Sequence, residues 1–205
     1  MTDQSTDTKF KIMEAARSLF AAQGFEGTSI RDIASAAGVN VASVNYHFSS
    51  KDNLILEVLR QGYQECSNDF RRWYDESDRN LEETLLRFWR FFQERSSDLI
   101  SHFKMMMSAQ HSHKLLAEGT EDEFIGPPGG KVVCEALVKE VGGKIADEDL
   151  HWALKTLFSH VVHMSLMHSC CFKDNAVPFS TPADIEKGIR RLTKVVIQEL
   201  KSKKN

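Results

Sequence analysis

His160, His163 and Met167 fall on one face of any helix that contains them, with Cys170 and Cys171 one further turn along. Imidazole, thioether and thiolate are borderline-to-soft metal ligands, so His160, His163 and Cys170 form the candidate set of a metal-responsive site. The same side chains serve equally as packing or interface groups, or as the polar part of a small-molecule pocket. His-x-x-His beside adjacent cysteines is not a zinc-site spacing, so no metal site is assigned and His160 and His163 are carried forward as pocket candidates. Catalytic chemistry has less support. There is no Gly-x-Ser-x-Gly elbow, nucleotide loop or spaced carboxylate pair. An all-helical enzyme therefore ranks last among the readings, with no catalytic residue and no cofactor implied. The run Gly126-Pro127-Pro128-Gly129-Gly130 lacks a preceding strand and a following Lys-Ser/Thr, so it reads as a rigid helix breaker that shapes a pocket mouth.

The elements that must carry these groups are helices. The chain has 205 residues, 41% hydrophobic and 27% charged, with a formal net charge of -3. That is enough to bury a substantial core and gives no overall basic signature. The N-terminal stretch MTDQSTDTKFK is polar, with residues 1–7 expected to lie outside any helix. The longest uncharged run, Thr156 to Phe172, is too short and polar to cross a bilayer comfortably. The four cysteines follow no disulfide or zinc-finger spacing. Together these predict a cytoplasmic protein with reduced thiols and no membrane partner.

No period-two strand appears, and the spacing predicts an all-α chain. From Lys9 to Gln23 the apolar positions Ile12, Ala15, Ala16, Leu19 and Phe20 recur every three to four residues, and Gly24 ends the run. Thr28 and Ser29 are good N-caps, and Ser29-Ile30-Arg31-Asp32 fits a capping box for a short second helix that stops at Gly38. Val41, Val44 and Phe48 line one side of a third short helix, and Ser49 or Ser50 opens a fourth. Two short helices joined at Gly38 make a helix-turn-helix, whose second helix can lie in the major groove.

The stretch from Ile12 to Leu59 resembles the tetracycline-repressor (TetR) family of bacterial regulators, with AARSLF, GFEGTSIRDIA, AAGV, YHF and SKDNL in order and spacing. The resemblance implies a DNA-binding domain over residues 1–50 and a helical effector-binding and dimerisation domain over 51–205. It also implies a repressor that acts as a homodimer on a double-stranded, palindromic operator. Val41, Ala42, Ser43 and Asn45 lie on or near the exposed side of the third helix. Asn45 can meet a base edge as donor and acceptor together, and Val41 and Ala42 can touch a thymine methyl. Tyr46, His47 and Lys51 stand where the family meets phosphates, and Thr28, Ser29 and Arg31 anchor the other flank beside a helix N-terminus. Residues 1–60 hold only six Lys and Arg against four Asp and three Glu, so binding must rest on local placement and on pairing of two readers.

The remaining helices supply the pairing and pocket expectations. Leu154, Leu157, Val161 and Met164 make a near-heptad stripe, and Ile189, Leu192 and Val196 make a matching one on the final helix, so these seven are the expected dimer interface. Phe88, Trp89, Phe92, Phe103, Met106 and Met107, together with His160 and His163, are the expected contacts for a small apolar or aromatic effector.

Overall fold

The computed structural model of the chain describes residues 2–75, 80–108, 128–171 and 180–203, and every element among them is a helix. In chain order these are α1 (Thr2–Gln23), α2 (Ile30–Ala37), α3 (Val41–Phe48), α4 (Lys51–Asp75), α5 (Leu81–Glu94), α6 (Ser96–Ser108), α7 (Gly130–Val141), α8 (Asp147–Cys170) and α9 (Pro182–Ser202). α1 begins earlier than its apolar periodicity suggests. Lys11 pairs with Asp7 at 2.5 Å across one helical turn, which supports the polar extension.

The helices divide into two compact units. The first holds residues up to Gln64 together with the described part of α6 from Ile100. Its core joins Ile12, Ala16 and Phe20 of α1 to Ile33 and Ala34 of α2, Val44 and Phe48 of α3, and Leu54, Ile55, Val58 and Leu59 of α4, with Met105 of α6 packed among them. This unit reaches beyond the expected boundary at residue 50 because the first half of α4 spends its whole apolar face on the helix-turn-helix core.

The short helices are set by their ends. Ser29 caps α2 in a complete capping box with Asp32, and Gly38 closes it in the left-handed conformation (φ 67°), its N–H reaching the carbonyls of Ala34 and Ser35. Asn40 caps α3, its side-chain oxygen accepting from the Ser43 N–H at 2.7 Å. Ser49 follows at φ 61°, a left-handed position taken by a residue with a side chain. The hydroxyl of Ser50 then accepts from the Asn53 N–H at 3.1 Å, which makes Ser50 the cap of α4.

The second unit contains Glu65–Leu99 and the described residues from Pro128 onward. Its core is aromatic at one end, where the Phe70 and Phe88 rings stack at 3.6 Å, and aliphatic along α7, α8 and α9. Ion pairs bind the helices at their rims. Arg71 grips Glu135 through two bonds of 2.5 and 2.7 Å, Arg90 grips Glu186 at 3.0 and 3.2 Å, and Arg190 meets Glu82. The buried hydroxyls of Ser165 and Thr193 donate to the carbonyls four residues back, so they enter the core satisfied. No described helix is long and apolar enough to cross a membrane.

Candidate nucleic-acid interface and effector region

On α3, Val44 and Phe48 are buried, which turns Val41, Ala42, Asn45 and Tyr46 outward at positions i, i+1, i+4 and i+5. Tyr46 is 82% exposed, its ring and hydroxyl both open to solvent. Asn45 is exposed beside it, with its amide available for paired donation and acceptance. Ser43 is half-buried, and its hydroxyl donates to Asn40 at 3.0 Å, so it braces the N-terminus of α3. His47 is half-buried between Tyr46 and Phe48, its ring 5.2 Å from that of Tyr46.

The flanking positions separate into surface and strut. Arg31 and Ser29 are exposed at the start of α2. The Asp32 carboxylate takes both the Ser29 hydroxyl at 2.6 Å and the Ser29 N–H at 2.9 Å, bonds that hold its own carboxyl below the ordinary range. Thr28 is a correction to the sequence expectation. It is 1% exposed, and its hydroxyl donates to the Gly24 carbonyl at 2.8 Å, so it locks the turn after α1 and offers no hydroxyl to a phosphate. Lys51 is half-committed: its ammonium donates to the carbonyls of Phe25 at 2.8 Å and Thr28 at 3.1 Å and sits 4.0 Å from the centre of the Phe25 ring. This clamp across α4 and the turn after α1 was not visible in the sequence, because its partners are backbone oxygens that no residue type announces.

The expected effector contacts are divided between the two units. Phe88, Trp89 and Phe92 are buried in the core of the second unit, Phe88 also meeting Phe158 edge-on at 5.5 Å. Phe103 and Met107 belong to the first unit, with Met107 83% exposed, and the side chain of Met106 lies outside the described residues. His160 is half-buried against Gly188 of α9, and burial, with the neighbouring His163, pushes its imidazole pKa down. His163 is exposed. Ten helical residues separate His160 from Cys170, about 15 Å of rise, so they cannot share one ion. Among the described residues no three His, Cys, Asp or Glu side chains gather as a metal set.

The expected dimer stripe lies against the second unit's own core. Leu154, Leu157, Val161, Ile189 and Val196 are buried within the unit's own core, and Met164 and Leu192 pack against the same cluster. The surface faces of α8 and α9 carry different apolar residues, Trp152 at 43% exposure and Val195 at 52%.

A capped helix-turn-helix with an exposed face on its second helix is thus followed by a unit that is helical wherever it is described. Residues 12–58 match the model described as bacterial regulatory proteins, tetR family. That match makes the N-terminal region of this chain similar to the tetR family. Over 57 residues it is 46% identical to the probable HTH-type transcriptional regulator YttP of Bacillus subtilis, a stretch spanning 28% of each chain. Two solved structures share the fold along most of the chain. One, a tetR-family transcriptional regulator from Mesorhizobium loti, has a TM-score of 0.65 at 18% identity, covering 95% of this chain and 97% of the other. The other, the regulator FadR from Bacillus subtilis in complex with stearoyl-CoA, has a TM-score of 0.62 at 13% identity, covering 92% and 97%.

Proposed function

We propose that this protein is a cytoplasmic, homodimeric transcriptional repressor that docks α3 in the major groove of a palindromic operator and is released by a small effector. The observation that carries the reading is the α3 face. Asn45 and Tyr46 stand exposed on a helix whose opposite side is fully buried, and caps at both ends of the turn hold that helix in place. Asn45 reads a base edge, Val41 and Ala42 supply apolar contact, and Tyr46, Arg31 and the remaining donor of Lys51 meet phosphates. One such helix covers only a few base pairs, so two copies related by a two-fold axis read two half-sites. The effector half of the reading draws support from the aromatic second unit and from the ligand-bound FadR that shares the fold. It requires that effector and operator favour different conformations of the same chain.

The test is fluorescence anisotropy with labelled DNA from upstream of the protein's own gene, at low salt, against a scrambled duplex. Sequence-dependent binding that weakens about tenfold or more in Asn45→Ala supports α3 as the reader. Equal binding of both duplexes at low salt sinks the proposal.

A further inference from the structure

One surface of the second unit is built unlike the rest. A concavity of about 280 Å³ opens between the C-terminal part of α4 and the α5–Arg95 stretch, with Phe70 as its floor. Its walls alternate planar cations with aromatic rings. The Arg95 guanidinium lies 4.6 Å from the centre of the Phe91 ring, and Arg87 lies 5.9 Å from that of Trp73. With Arg72 they bring three guanidinium groups to the cavity against two carboxylates, Asp69 and Glu94. The carboxylates are thinly spread. Asp69 accepts from Arg95 at 3.1 Å and stands 3.9 Å from Arg72, while Glu94 comes no nearer to Arg87 than 4.0 Å.

A guanidinium laid over a ring keeps its N–H edge in the plane, where it matches a carboxylate through two parallel bonds. Phe91 already meets Arg95 and, at 4.5 Å, the Phe70 ring, so a second flat group packs against the apolar rims that Phe91 and Trp73 present to the concavity. The volume falls just below the usual range of ligand sites, about 300 to 1,000 Å³. That suits a molecule of one or two rings. A plain inorganic anion would leave the aromatic walls unused, and a neutral ring would leave the cationic excess unmet.

We propose that this concavity binds a small aromatic carboxylate, its ring between Trp73 and Phe91 and its anion on the edges of Arg87 and Arg95. Resting on the regulatory reading above, we assign it as the effector site. Asp69, Phe70, Arg72 and Trp73 all lie on α4, the helix whose Leu54, Ile55, Val58 and Leu59 belong to the helix-turn-helix core. An anion that draws Arg95 from Asp69 therefore acts directly on the element that supports the reading head. Phe70 carries the contact inward through its stack on Phe88.

The experiment is calorimetric titration of the full chain with benzoate, benzamide and acetate in parallel. Benzoate is expected to bind saturably and more tightly than either partner molecule, since only it offers ring and anion together. Arg87→Gln and Arg95→Gln each weaken benzoate by about tenfold or more, the usual scale for a lost charge-assisted bond. Arg95→Lys, which keeps charge without the planar edge, falls between wild type and Arg95→Gln. Arg190→Gln, on α9 and outside the concavity, leaves binding unchanged, and thermal melts confirm that each variant is folded. Benzamide binding as tightly as benzoate overturns the site, as does benzoate binding indifferent to both Gln variants, or none at all. Benzoate bound through Arg87 and Arg95 without release of operator DNA overturns the effector role alone, and failure to bind any operator overturns the regulatory reading instead.

Discussion

At the scale of single residues, the positions that decide most are those whose partners are backbone or ring atoms. Gly129 has φ 83° and lies against the Phe88 and Phe70 rings, where a Cβ would come within 2.3 Å of the Phe88 Cζ and 2.9 Å of the Phe70 Cδ2. Gly129→Ala therefore combines overpacking with a left-handed alanine and is expected to cost about 2–4 kcal/mol in urea unfolding. An unfolding midpoint within error of wild type would show that the aromatic end of the core can relax. The glycine-proline run was legible as a helix breaker, but its service to Phe88 was not, because that contact joins residues distant in the chain. Lys51→Ala removes two carbonyl contacts from a half-buried ammonium, and the expected loss is about 1–2 kcal/mol. The same substitution weakens operator binding more than its stability cost explains if the third ammonium donor meets a phosphate. Equal binding by the variant at a temperature where it is fully folded would confine Lys51 to its clamp role.

At the scale of helices, local signals and periodicity carried different amounts of information. Both ends of α2 and the start of α4 were readable because caps and a left-handed glycine act within four residues of chain. The stripes on α8 and α9 were visible but pointed inward, since period alone identifies an apolar face and not which neighbour covers it. The arginine-lined concavity was invisible, for it exists only where α4 and α5 meet. His102 illustrates an element-level consequence. On α6 it packs beside Gly62 of α4, where an added Cβ would stand 3.6 Å from its Nδ1. Burial, and secondarily the Arg17 charge of α1, push its pKa below the ordinary value. A histidine with a lowered folded-state pKa binds fewer protons folded than unfolded. Its contribution is whole above about pH 6.5 and is lost as pH falls from there toward the folded value. Urea midpoints of wild type should thus decline between pH 7 and pH 5, and His102→Asn should decline less. The slope does not vanish, because His160 is shifted the same way. An identical slope in the variant would remove His102 as a source of acid sensitivity.

At the scale of the whole molecule, a domain with little positive charge would hold DNA weakly on its own. Only six basic residues among the first sixty face seven acidic ones, so a single reading head has few phosphate contacts to offer. On the proposed homodimeric reading, two heads in one particle double those contacts and release counterions together. The buried stripes cannot supply the assembly surface, because Leu157, Val161, Ile189 and Val196 have none of their area left to give. The most exposed large apolar side chains on the same two helices are Trp152 and Val195. Aspartate placed at both positions sets charge where a dry contact is needed, at a cost in the range that dissociates modest interfaces, roughly 2–5 kcal/mol. Trp152→Asp with Val195→Asp is therefore expected to sediment as a folded monomer at micromolar concentration, while wild type sediments as a dimer. The monomer binds operator at least tenfold more weakly and with a shallower dependence of affinity on salt, because fewer phosphates are neutralised per particle. A double variant that remains dimeric moves the interface off these two side chains. A monomer that keeps full operator affinity breaks the link between assembly and reading, and α3 would then have to hold its site alone.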